Sequence, residues 1–247
     1  MIFFDERFQT FHAFSWMHLI PILLIIGLIV LMIVYKEPLR SNHKLDRRLQ
    51  ISVGIAMIVM EWIFYGWVII RGGASWTLLP FGLCAISMYL TAITLITQNQ
   101  KIFKIVFPWA LTGALLSLAV ADLTYSAPHF RYFHYFGNHG LFFLANIYLV
   151  VVKKYDFTYK DLLKSSLLLV FISVMMYFVN QILGTNHMYL TELPAEVAFM
   201  FMWLGNPLWV FGFGIGIFIL FNLLAAPFLI IKRHAHKSKA FVEIRTE

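Results

Sequence analysis

The residues able to do covalent or proton-transfer chemistry in this 247-residue chain fall in three short blocks. LPFGLC over 79–84 ends on Cys84, the sole cysteine. PHFRYFHYFGNHG over 128–140 holds Arg131, His134, Asn138 and His139, and NQILGTNHMY over 180–189 holds Asn180, Asn186 and His187. A thiol beside an imidazole can act as a nucleophile, because the ring accepts the proton and leaves the reactive thiolate. A free cysteine can equally be a small apolar packing residue. His139, between Gly137 and Gly140, reads either as a general base or as an interhelical hydrogen-bonding group.

The elements that must position these residues are membrane helices. The chain is 61% hydrophobic and only 13% charged, about half the charged share of a soluble domain. Its mean hydropathy is +0.79. That excludes a soluble globular protein, a disordered chain and a disulfide scaffold. Apolar runs near 14–35, 50–71, 77–96, 104–121, 137–152, 164–183 and 207–231 predict an all-α, seven-helix membrane protein forming a single domain over 1–247. Sixteen of the nineteen Lys and Arg fall in 36–49, 97–104, 153–164 and 232–247. Only Arg7, Arg71 and Arg131 lie on the alternate side, so the positive-inside rule predicts an external N-terminus and a cytoplasmic C-terminus. The start MIFFDERF does not read as a secretory signal, so the first helix is expected in the mature, multi-pass protein. The basic stretch 36–48 reads as a linker that anchors to anionic lipid, and the C-terminal basic segment, with His234 and His236, as a further cytoplasmic patch.

This orientation brings the three blocks to the outer side, with Cys84 about two turns into the third span and the start of the fifth span left open around His134. On a helix over 130–152, His134 and Asn138 lie one above the other, as do Tyr135 and His139, and Arg131 and Tyr135. Lipid supplies no hydrogen bonds, so such a polar face must turn toward protein or water, and an outward-facing polar cavity is expected. Glu61 falls near the middle of the second span. It is either a structural carboxyl between helices or the acid that orients a histidine such as His18. Arg131 suits a lipid phosphate. The histidine spacings lack any metal-binding pattern, and nucleotide and nucleic-acid signatures are absent, so no metal, cofactor or nucleic-acid partner is expected.

FSxxHL over 14–19, LPxxLC, PHFRYFxYFxxHG and NxxLGTNxMYL together resemble the YwaF-type bacterial integral membrane proteins. These are similar to the eukaryotic transmembrane protein 164 acyltransferases and, more distantly, to the androgen-induced-gene hydrolases. The resemblance spans about residues 12–225 and implies a bacterial cytoplasmic membrane. It also implies a cysteine and a histidine in acyl transfer between lipids, which map onto Cys84 and His139. It departs at Gly82, where a histidine is often seen, and at Ala85, where a polar residue is. The expected function is a lipid acyltransferase or acyl hydrolase acting on a phospholipid or other acyl lipid. Cys84 and His139 are its catalytic residues, with Arg131, His134, Asn138, Asn186, His187, His18 and Glu61 around the substrate and Asn186 a candidate oxyanion donor. The alternative is a non-catalytic lipid-binding or transport protein.

Overall fold

The computed structural model describes residues 2–246, with side chains over 3–194 and 197–230. The basic segment 232–247 expected to face the cytoplasm therefore has its side chains outside the described residues. Among the described residues every regular element is helical: α1 (Trp16–Val34), α2 (Lys36–Ser41), α3 (His43–Ile70), α4 (Leu83–Thr97), α5 (Gln100–Ala119), α6 (Phe130–Val151), α7 (Tyr159–Leu183), α8 (Ala195–Phe201) and α9 (Leu208–Thr246). Five of these, α1, α3, α5, α7 and α9 over Leu208–Ile230, are long and apolar enough to cross a membrane. The helix α4, at 15 residues, is too short. The 22-residue α6 is long enough, but its first turns carry Arg131, His134, Asn138 and His139.

Local chemistry explains where the helices depart from the hydropathy runs. The stretch 36–48 is not a linker: Asn42 caps α3 by accepting from Leu45 N at 3.0 Å, so the helix starts at His43, inside the basic segment. Thr158 and Asp161 form a reciprocal capping box that starts α7 at Tyr159. His129 caps α6, its Nδ1 accepting from Arg131 N at 3.1 Å, which puts the whole polar block and His134 within the helix. Leu79-Pro80-Phe81 stays out of the helix, so α4 begins only at Leu83.

α5 is the hub. It is 61% buried, against 11–17% for the other four candidate spans, and its Phe103, Val106, Phe107, Trp109 and Ala110 are all 0–1% exposed. α4, α6, α7 and α9 pack around it. Away from this core, large apolar residues such as Leu23, Leu167, Phe171 and Phe178 are exposed, as suits surfaces that face lipid. Inside, helices are tied by polar bonds, among them Asn146 Nδ2 to Thr91 Oγ1 at 2.9 Å and Ser165 Oγ to the Ile105 carbonyl at 2.6 Å.

The N-terminal segment lies across the end of the bundle where α6 begins. Phe11 N donates to Thr124 O at 3.1 Å and Ser126 N to Phe8 O at 2.8 Å. Glu6 accepts from Tyr125 Oη at 2.9 Å and pairs with Arg71, while Phe3 and Phe4 meet Phe133 and Phe130. His129 stacks on Tyr125 at 3.9 Å and meets Trp67 edge-on.

The hydrogen bond from the Tyr125 hydroxyl holds the Glu6 carboxyl below its usual range, and that from Arg7 holds Asp5 at about 2. Burial disfavours the charged form of His129 and lowers it. All three groups bind protons less readily folded than unfolded, so their stabilisation is complete above the ordinary values, about 6.5 for His and 4 for the carboxyls, and is lost as pH falls through that window. The segment should therefore loosen between about pH 6 and 3, seen as accelerated proteolysis within 2–12 and as a change in emission that Trp67→Phe removes. A cleavage rate flat from pH 7 to 3 would contradict this.

Candidate functional site

Between α3, α4, α5, α6, α7 and α9 lies a partly open cavity of about 1360 Å³, larger than the usual range of about 300–1,000 Å³ for small-molecule pockets. Its polar wall is built by Glu61 from α3, Cys84 from α4, Ser117 from α5, and Arg131, His134, Asn138 and His139 from α6. Asn186 and His187 close one end, while Leu169, Val174, Ile215 and Phe218 from α7 and α9 supply an apolar wall.

Cys84 does not lie two turns into a helix. It is the second residue of α4, after Gly82 in extended conformation (φ −67°, ψ 146°) at the N-cap. There its sulfur rests against α5: a Cβ added at Gly113 would stand 3.4 Å from Sγ, and Ser117 Oγ lies 3.5 Å away at hydrogen-bonding distance. Gly113 and Ser117, four residues apart, form a small-residue notch of the kind that lets membrane helices approach. Ser117 was not anticipated, although that spacing is readable in the sequence.

His139 presents itself to the same cavity from α6. Its Nδ1 is 2.8 Å from the Tyr135 carbonyl. A carbonyl only accepts, so Nδ1 carries the proton and donates, and the lone pair of the neutral ring is on Nε2. That nitrogen makes no protein hydrogen bond among the described residues. The same Tyr135 donates its hydroxyl to the Ser117 carbonyl at 2.8 Å, linking the backbone that holds His139 to the one beside Cys84. Cys84 and His139 line one cavity, and no hydrogen bond joins thiol to imidazole among the described residues. The partner of Cys84 is Ser117, because the late start of α4 seats the sulfur in the α5 notch.

Arg131, His134 and Glu61 form a chain. Arg131 Nη1 donates to His134 Nδ1 at 2.7 Å, so Nε2 of that ring carries the proton and donates to Glu61 Oε2 at 2.9 Å. Asn138 Nδ2 donates to the same carboxylate oxygen at 2.8 Å. The guanidinium carbon stands 4.2 Å above the Phe64 ring, which stacks on His134 at 4.6 Å. One imidazole thus bridges a cation and an anion, and the remaining guanidinium N–H groups meet no protein acceptor among the described residues.

One expectation needs correction. His18 does not line the cavity and is not oriented by Glu61: it is 1% exposed, accepts from Phe14 N at 3.0 Å, donates to Leu118 O at 2.7 Å and packs among Phe11, Phe14 and Phe136. Asn186 lines the cavity, and its Oδ1 and one of its two Nδ2 hydrogens are used within the turn after α7. Its Oδ1 accepts from Thr191 and Glu192, and its Nδ2 donates to Glu192 O at 2.8 Å. His187 Nε2 donates to Trp76 O at 3.2 Å, tying the turn after α7 to the α3–α4 loop. Among the described residues no group of three His, Cys, Asp or Glu is placed to hold a metal ion.

The apolar helices and their polar-walled cavity define a multi-pass helical membrane protein. Its family follows from the sequence as a whole: a model described as the TMEM164 family matches residues 8–225, and the chain belongs to that family. Comparison with curated proteins and with solved structures gives no match.

Glu61→Gln removes the charge that offsets Arg131, and an uncompensated ion inside the bundle is expected to cost about 3 kcal/mol. Adding Arg131→Gln should recover most of the loss. Unfolding titrations in detergent measure both, and equal stability of wild type and Glu61→Gln would mean that the chain of bonds is not formed.

Proposed function

We propose that this protein is a membrane-embedded lipid acyltransferase or acyl hydrolase in which Cys84 is the nucleophile and His139 the general base. The observation that carries the reading is the tautomer of His139: its Nδ1–H is committed to the Tyr135 carbonyl, and its basic Nε2 is free beside the cavity that Cys84 also lines. Membership of the TMEM164 family is compatible with a lipid-related role.

In this mechanism Cys84 leaves Ser117 and turns toward the cavity, and Nε2 of His139 takes the thiol proton. The sulfur attacks the ester carbonyl, the C–O bond breaks, and His139 returns the proton to the departing alcohol, leaving an acyl thioester on Cys84. A lysophospholipid hydroxyl, a lipoprotein amine or water then attacks the thioester. His139 accepts its proton, and Cys84 departs and is reprotonated. The N–H groups of Leu83, Cys84 and Ala85 have no carbonyl partner one turn earlier, since Gly82 accepts only from Ile86 at 3.0 Å. They are the donors for the oxyanion, a stabilisation typically worth about 3 kcal/mol. The free N–H groups of Arg131 receive the headgroup phosphate. No redox or nucleotide cofactor takes part.

The same reading adds α4 and α6 to the five apolar helices, making seven crossings within one membrane domain, the N-terminus outside and the cavity opening toward the outer half of the cytoplasmic membrane. One observation favours a second reading, a non-catalytic lipid binder: the thiol is hydrogen-bonded to Ser117 and not to His139.

Purified protein treated with an activated acyl ester should form a hydroxylamine-sensitive acyl adduct on Cys84. Cys84→Ala should abolish it, and His139→Gln should slow it by roughly 10²–10⁴-fold, the usual contribution of a general base. Lipid turnover unchanged in Cys84→Ala would eliminate Cys84 as the nucleophile, and wild-type protein that binds lipid with neither adduct nor turnover would be the binder.

A further inference from the structure

The cavity is partly open, and where it opens follows from which of its lining residues are also surface residues. Every lining side chain from α3, α4 and α6 is buried or half-buried. On α7, by contrast, Val170, Val174 and Phe178 line the cavity and are still 52–60% exposed, and on α9 Phe211, Ile215 and Phe218 do the same at 36–67%. Each set recurs at helical spacing and so forms one stripe along its helix. The stripes run beside the faces that pack inward, marked by buried Ser165 and Met176 on α7 and by buried Phe221 and Ala225 on α9. α7 and α9 are neighbours in the bundle, so the two stripes are the rims of one apolar slit. Seven or eight residues at about 1.5 Å each make it about 10–12 Å tall. At one end it reaches the exposed polar residues Gln181 of α7 and Asn206 just before α9, which line the cavity too. The short turn between α6 and α7 makes them antiparallel, so this is the end where α6 begins and where Arg131 stands.

We infer that this slit is a doorway through which an acyl chain of a bilayer phospholipid passes sideways into the cavity while its phosphate stays at the polar end, against Arg131. The inference rests on the cavity being the lipid site proposed above and adds the source of the ligand, which is the surrounding bilayer and not water. A phospholipid needs a path that is polar at one end and apolar along the rest, and the slit has that order. Its rims continue into plainly lipid-facing residues, Leu167 and Phe171 on α7 and Ile219 and Leu223 on α9. A chain crossing between them leaves one apolar surrounding for another. Entry from the water-facing end would instead expose every methylene on the way. Across the cavity from the slit, the guanidinium N–H groups that meet no protein acceptor among the described residues supply the anion partner.

The doorway can be read without any turnover. The full-length protein is placed in phosphatidylcholine vesicles that contain a minor fraction of a phosphatidylcholine with a diazirine near the end of one acyl chain. Light expels dinitrogen, the carbene inserts into a neighbouring bond, and peptide mass spectrometry locates the adducts. Adducts on Met88 or Phe142, which line the cavity and are 1–2% exposed, report entry, and adducts on Ile182, 81% exposed, report lipid outside. The inside-to-outside ratio should fall roughly tenfold in Val174→Trp/Ile215→Trp, whose two indole rings fill the gap. It should stay unchanged in Ile219→Trp, which adds the same bulk on the lipid side of the rim, and rise in Phe178→Ala/Phe218→Ala. No inside adduct in the wild type, a ratio unmoved by the tryptophan pair, or a fall as large in Ile219→Trp would each overturn the proposal. If the tryptophan pair does not fold, the alanine pair decides, and a ratio unmoved there overturns it. Rim-dependent labelling in a protein without acyl transfer supports the doorway and removes the catalytic reading. Transfer from bilayer phospholipid at the wild-type rate in the tryptophan pair keeps the enzyme and removes the doorway.

Discussion

A charge inside a lipid bilayer must be offset locally, and much of the site follows from how this chain meets that demand. Arg131 and Glu61 come from different helices and are not in direct contact. His134 spans the gap, accepting from one and donating to the other, and thereby neutralises the pair without closing it. A direct ion pair would have consumed the guanidinium. The bridged arrangement leaves most of its donors facing the cavity, held in place by Phe64 beneath and by the ring alongside. The same chain of bonds staples α3 to α6 and gives α6 a fixed rotation, which determines where His139, one turn beyond Tyr135, points.

A wide cavity in a membrane bundle would be expected to weaken it, because its lining side chains lack partners on one side. The structure answers by concentrating its packing in α5. The buried row from Phe103 to Ala114 provides a scaffold for α4, α6, α7 and α9. α7 is tied to it by Ser165 on the Ile105 carbonyl and α9 by Phe228 against Phe107. Met88, Phe142 and Phe221 belong to both core and cavity, forming the wall where the two meet.

The apolar runs located the apolar length of each long helix, because hydropathy reports burial in lipid directly, but α3 and α6 begin seven residues before their runs and α4 six after, where caps and Pro80 decide. The polar blocks were legible for the same reason: histidine, asparagine and arginine in a membrane segment have few places to go. What escaped was rotational and local. Depth along a helix does not say which way a side chain turns, so His18 read like a cavity residue although it caps the space between α1 and α5. Glu61 was open to two readings and is both a strut between helices and the acid that orients a histidine, His134. The delayed start of α4 depends on three residues around Pro80, and it moved Cys84 from a helix interior to a helix start. Ser117 went unnoticed because a serine among leucines carries no hydropathy signal, although Gly113 four residues earlier marked a close approach.

At the end of the bundle away from the cavity, Arg47 reaches two successive carbonyls, Leu95 and Ile96, in the last turn of α4, and Arg40 reaches Val151 and Val152 where α6 ends. Each guanidinium acts as a fork over carbonyls that the helix itself cannot satisfy. Lysine would supply equal charge for orienting the chain during insertion, yet its single ammonium lacks the breadth to straddle both oxygens. These two positions therefore use the shape of arginine as much as its sign, and a map of positive residues records only the sign.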